Sequence, residues 1–99
     1  MTEENQPKQE NKNNTEKRYI IEYDRENCIG SAPCVAEAPD RWELSKEDGK
    51  AILINGKKEG EIYIHEITEE EFERNMNAAK NCPVNVIHII DKKTGKRLI

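Results

Sequence analysis

Long hydrophobic runs are missing from this chain of 99 residues, and no apolar stretch stands near its N-terminus. A membrane span needs about 18 or more apolar residues in succession, and a secretory leader needs an apolar core segment. The expectation is therefore a soluble, cytoplasmic protein with no membrane span. Aromatic residues are few, at 5%, and only 34% of the chain is apolar against 36% charged. A domain this small and polar is near the limit where a hydrophobic core alone suffices, so a further cross-link is expected. Cysteine is scarce too: there are three, an odd number that leaves one thiol over in any disulfide scaffold. The glycines are isolated, so no dinucleotide or phosphate-loop fingerprint can be written. No basic stripe interleaved with aromatics suggests nucleic acid. His65-Glu66 does not extend to H-E-x-x-H, which removes a zinc-protease reading.

What is present begins unevenly. After Met1, residues 2–18 contain no aliphatic or aromatic side chain and can bury nothing, so a disordered tail is expected over residues 1–18 and one folded domain over 19–99. The tail carries four acids and four bases, so the net charge of -4 belongs to the folded part, with 16 acids against 12 bases. Tyr19-Ile-Ile-Glu-Tyr23 reads as a strand, and a turn or two of helix fits after Cys34, stopping at Pro39. Asp48-Gly49, flanked by Trp42-Glu-Leu44 and Ala51-Ile-Leu-Ile54, signals a hairpin that Ile62–Ile67 either lengthens or borders as an edge strand. Thr68-Glu-Glu-Glu71 reads as a capping box opening a helix through Lys80 that buries Phe72, Met76 and Ala79. A last strand over Val86–Ile90 precedes the Lys93-Thr-Gly95 turn.

The chemistry lies in the cysteines. Cys28 and Cys34 stand six positions apart in C-I-G-S-A-P-C, a short loop with Gly30 and Pro33, and Cys82 follows much later with Pro83 behind it. Soft thiolates clustered in this way suit an iron-sulfur cluster better than a disulfide. Structural zinc favours narrower pairs and would need His65 or His88 as a fourth ligand.

Residues 19–99 resemble a single-cluster bacterial or archaeal ferredoxin whose second cluster has been lost. The bacterial pattern C-x2-C-x2-C-x3-C-P falls on Cys28, Ser31, Cys34 and Ala38-Pro39, and counted back from Cys82-Pro83 on Ala78, Asn75 and Phe72. The resemblance implies an α+β fold in βαββαβ order, a small antiparallel sheet with two helices. It implies a non-enzymatic one-electron carrier with Cys28, Cys34 and Cys82 as iron ligands. Ser31 replaces a cysteine, so the expected cofactor is one 3Fe-4S cluster in preference to a 4Fe-4S cluster with Ser31 or solvent as the fourth ligand.

Gly30 is expected at positive φ, with inward amides donating to sulfur and Pro33 removing one such donor. Ile29, Val35, Pro83 and Val84 are expected to shield the site. The expected partners are oxidoreductases with basic docking patches meeting an acidic monomer. Two other readings stay open: an iron- or redox-sensing module with a labile iron at Ser31, and a zinc-stapled structural domain.

Overall fold

In the computed structural model, residues 16–99 are described. The expected tail therefore lies outside the described residues, except for its last three. Of these, Arg18 already belongs to the fold. Its carbonyl accepts the Lys92 amide at 2.9 Å and its guanidinium lies 3.3 Å from Asp91 and 5.4 Å from the Tyr19 ring centre. Pairing thus begins one residue before the boundary expected at 19.

The elements are β1 (Tyr19–Tyr23), a 3-10 turn (Arg25–Asn27), α1 (Pro33–Glu37), β2 (Trp42–Leu44), β3 (Ala51–Leu53), β4 (Lys57–Glu59), β5 (Ile62–Ile67), α2 (Glu69–Asn81), β6 (Ile87–Asp91) and β7 (Lys96–Arg97). Among the described residues, five strands form one antiparallel sheet in the order β4-β5-β1-β6-β7, and β2 and β3 form a separate hairpin. The α+β class and the two helices agree with the expected fold. The strand order is richer than βαββαβ, because residues 55–61 turn back to add β4 as an edge and Lys96–Arg97 adds another.

Strand β1 is central because both of its neighbours come from distant parts of the chain. Tyr19 pairs with Ile67 and Asp91, Ile21 with His65 and Ile89, and Tyr23 with Tyr63 and Ile87. Alternation puts Tyr19, Ile21 and Tyr23 on the buried face with Ile67, Ile87 and Ile89. Removing an isoleucine of this kind from water contributes about 1.5–3 kcal/mol. Helix α2 packs Ala78 and Ala79 on this face, and Phe72 stacks on Tyr19 at 4.2 Å between ring centres.

Several local expectations are corrected. Strand β5 neither lengthens the hairpin nor borders the sheet, since it pairs on both sides, with β1 and β4. The Asp48-Gly49 hairpin forms, but with six residues between its strands. The Ser45 amide donates to Lys50 O and the Gly49 amide to Ser45 O. Thr68 does cap α2, with extended backbone, yet neither half of the capping box forms. The Glu71 carboxylate is instead gripped by Arg41 through Nε at 2.9 Å and a second guanidinium nitrogen at 3.1 Å. A bidentate ion pair outweighs one bond to an exposed first-turn amide. Phe72 and Met76 are half-buried, and the residues fully buried in α2 are Asn75, Ala78 and Ala79.

Candidate metal centre

The cysteine loop is held by the elements on either side of it. The 3-10 turn closes when the Cys28 amide donates to Arg25 O at 3.2 Å, and Asp24 accepts from Asn27 Nδ2 at 2.7 Å. The chain then takes the left-handed region twice, at Gly30 (φ 76°) and at Ala32 (φ 70°), before Pro33 opens α1. Pro33 stands at the first helical position, where an amide would have no partner within the helix. Helix α1 therefore begins one residue before Cys34, not after it, and its first turn carries the thiol inward.

The β2–β3 hairpin closes over this loop. Arg25 grips Asp48 with two bonds of 2.9 and 3.1 Å, and Lys50 Nζ donates to Glu26 O at 2.7 Å. A Cβ added to Gly30 would collide with the carbonyl oxygen of Gly49. Glycine is required here for both reasons: positive φ and a close backbone approach.

Cys34 and Cys82 are buried and Cys28 is half-buried, all packed on one core cluster. No disulfide joins them. Cys82 follows α2 directly as its C-cap, with its amide bonded to Ala79 O at 3.3 Å. Burial pushes the Cys34 thiol up to about 11, and the neighbouring Cys28 and Cys82 add to this against the amides of Val35 and of Cys34 itself. A lone thiolate at Cys34 is thus disfavoured, and a cationic metal bound there would offset the cost.

Cys28 differs. Burial alone would raise its thiol, but the Ala51 and Gly30 amides, together with the Lys50 charge, hold it below the usual cysteine value. The Gly30 nitrogen is 3.4 Å from Cys28 Sγ. This set of three soft donors with inward amides fits an iron-sulfur group.

Ser31 is exposed, unlike the three cysteines. Of the residues expected to shield the site, only Val35 packs on the core, whereas Pro83 is exposed, Ile29 is 63% exposed and Val84 37%. A loop that wraps its amides inward must turn its short linking side chains outward, which is why these residues form an apolar rim and not a lid.

Neither histidine joins the cysteines. His88 Nδ1 lies 3.2 Å from Ile99 O, and His65 lines a shallow recess with Lys17, Asn55 and Lys57. Among the described residues no three His, Cys, Asp or Glu side chains gather tightly enough to grip a single metal ion.

The comparisons with known proteins agree with this geometry. Residues 21–89 match the family model described as a 4Fe-4S single cluster domain. The chain belongs to this family. It is also 29% identical over 75 residues to a ferredoxin of Bacillus subtilis (strain 168), covering 76% of this chain and 85% of that protein. Within the single-cluster family frame, the matched span runs from β1 to β6 and includes all three cysteines.

Residue-level reading of the sequence missed the donor outside the loop. Ala51 lies 23 residues after Cys28, and its place on β3 comes from strand pairing that no local motif announces. Among the described residues no helix is long and apolar enough to cross a membrane.

Proposed function

We propose that this protein is a one-electron carrier that holds a single iron-sulfur cluster through Cys28, Cys34 and Cys82. The observation that carries the reading is the packing of these three thiols on one core region, beside a loop with two left-handed residues and the Gly30 amide turned toward Cys28 Sγ. When bound, the cluster supplies a centre that accepts and releases one electron. The chain's own residues do the rest. The cysteines fix position, the Gly30 and Ala51 amides stabilise negative charge on Cys28, and the buried aromatic and aliphatic core behind them excludes water.

The exposed Ile29 and Val84 form the face through which partner oxidoreductases would make contact, and the surplus of carboxylates would steer basic patches toward it. Glu69, Glu70 and Glu73 are exposed and suit this role, while Glu71 is committed to Arg41. The carrier is read as a cytoplasmic monomer, with residues 19–99 as its working domain.

For the cluster itself, the exposed Ser31 supports three-cysteine ligation and hence a 3Fe-4S centre. The description of the matched family favours a second reading, 4Fe-4S with the Ser31 oxygen or solvent on the fourth iron. Low-temperature EPR of anaerobically purified protein separates them. A half-integer signal in the oxidised state that gives way to integer spin on reduction means 3Fe-4S. A silent oxidised state that gains a half-integer signal on reduction means 4Fe-4S. Iron and sulfide both absent from protein reconstituted under anaerobic conditions would refute the carrier reading altogether.

A further inference from the structure

Cys34 rides on α1 and Cys82 closes α2, whereas Cys28 stands in the loop between the 3-10 turn and α1. The chain on both sides of Cys28 is held from one place, the tip of the β2–β3 hairpin. On the N-terminal side the Arg25 guanidinium grips Asp48 by bonds of 2.9 and 3.1 Å, and Lys50 Nζ donates to Glu26 O at 2.7 Å. Arg25 O in turn accepts the Cys28 amide at 3.2 Å. On the C-terminal side the Gly49 carbonyl lies so close to Gly30 that it leaves no room for a Cβ, and the Gly30 amide faces Cys28 Sγ at 3.4 Å.

The hairpin itself is built unevenly. Trp42, Ala51 and Leu53 bury its base, whereas residues 46–49 at its tip are exposed. The tip keeps its own shape: the Ser45 hydroxyl accepts the Glu47 amide at 3.1 Å, and Asp48 Oδ1 accepts the Lys50 amide at 3.1 Å. A preformed tip on a fixed base, joined to the loop by exposed polar contacts, can lift without unfolding the core.

We infer that residues 45–50 are a strap over the cysteine loop, latched by Arg25–Asp48 and Lys50–Glu26 O, and that its lifting frees Cys28 and opens the route by which iron enters and leaves. The inference rests on the carrier reading. Cys34 and Cys82 are buried and tied to helices, so Cys28 is the corner that moves. An exposed ion pair is weak and screened by salt, which suits a latch that has to open.

The test follows iron release from the full chain, reconstituted with iron and sulfide, under anaerobic conditions with excess dithionite and bipyridine. Iron–thiolate bonds break, dithionite supplies the electrons that bring ferric iron to ferrous, bipyridine takes the iron, and the thiolates and sulfide take up protons. Release from the natural chain should rise with salt and depend only weakly on urea below the unfolding transition, because the opening is local. Arg25→Gln should release iron about two- to five-fold faster and lose most of the salt response. Asp48→Asn, which keeps an acceptor for the Lys50 amide, should do the same, and the two changes should not add when combined. Lys92→Gln breaks a 3.1 Å pair with Glu66 at the other end of β1, and should leave the rate unchanged. The salt and urea arms use the natural chain and keep the question answerable where a variant fails to fold. Equal release from the natural chain and the two latch variants, or release that tracks global unfolding in urea, would overturn the inference and leave the carrier reading intact. Absence of iron and sulfide from the reconstituted natural chain would overturn that reading instead.

Discussion

Replacing Gly30 with alanine should damage this fold far more than the same replacement at Gly49, although both glycines have nearly equal positive φ (76° and 73°). Left-handed backbone costs an alanine about 1–2 kcal/mol. The stiffer unfolded chain returns about 0.4–1 kcal/mol. At Gly49 nothing lies within 4 Å of the added carbon, so the net loss should stay near 1 kcal/mol. At Gly30 the added carbon collides with the Gly49 carbonyl, and the hairpin tip is held in place by the Arg25–Asp48 pair and by Lys50 on Glu26 O. Overpacking against an immobile neighbour adds about 1–3 kcal/mol, for a total of roughly 2–4. In a domain of this size each kcal/mol moves the melting temperature by about 4–8 °C, so Gly30→Ala should melt roughly 10–30 °C below the natural chain.

The assay is a set of melts at one heating rate on loaded protein, followed by far-ultraviolet circular dichroism and by cluster absorbance. Asp48→Ala, which frees the tip, should recover part of the Gly30→Ala loss. Equal melting temperatures for Gly30→Ala and Gly49→Ala would refute the close approach and, with it, the closing of the hairpin over the cysteine loop.

Asn75→Leu should cost about 1–3 kcal/mol in urea unfolding, because the Trp42 indole N–H, bonded to Asn75 Oδ1 at 2.8 Å, would be left buried and unpaired. Adding Trp42→Phe should cost less than the sum of the two changes. Arg18 holds the Asp91 carboxyl below its usual value, so this pair stabilises the fold above the unfolded aspartate value of about 4 and loses its effect as pH falls through the lower folded value. The gap in urea midpoint between the natural chain and Asp91→Asn should therefore close as pH falls below about 4. Ser31→Ala should leave the oxidised EPR spectrum unaltered under the three-cysteine reading, and Ser31→Cys should convert it to that of a four-cysteine 4Fe-4S centre.

How much of this was legible in the sequence depended on the range of the interaction. Strand β1 was visible because its run of aromatic and β-branched residues is local, and the Cys28 loop was visible because glycine, proline and cysteine announce themselves at short spacing. The capping box failed because Glu71 had a better partner 30 residues away in Arg41, and a pattern of four residues cannot report a competitor at that distance. The place of β5 was hidden for a similar reason. An alternating segment says that it has one buried face, but not which strand it will join, and the choice between lengthening the hairpin and joining β1 was made by the core. The expected shielding role of Ile29 says nothing of its exposure, because a loop with αL residues leaves its linking side chains to point outward, as Ile29 does. Tyr23 reads as one residue of a strand, and the bond from its hydroxyl to Ala51 O at 2.7 Å depends on β3, which arrives 28 residues later.

The same limit of range bears on the cluster that the chain does not keep. Ala38, Phe72, Asn75 and Ala78 are the positions that a second set of ligands would need, and three of them, Ala38, Asn75 and Ala78, are completely buried. The sequence shows only that the cysteines are gone. The structure shows the replacement: Trp42, also completely buried, ties its amide to Ala38 O at 3.0 Å and its indole to Asn75. An indole brings one N–H that must be satisfied when it is sealed from water. Asn75 satisfies it, and anchors its own amide to Glu71 O at 2.8 Å within the helix. Glu71 in turn is the residue that Arg41, the neighbour of Trp42, holds by its carboxylate. The asparagine and the glutamate are thus parts of one polar network that seats the tryptophan between α1 and α2. Restoring cysteines at these four positions would strip that network of Asn75 and leave the indole N–H buried without a partner. A second cluster would therefore require Trp42 to be replaced at the same time.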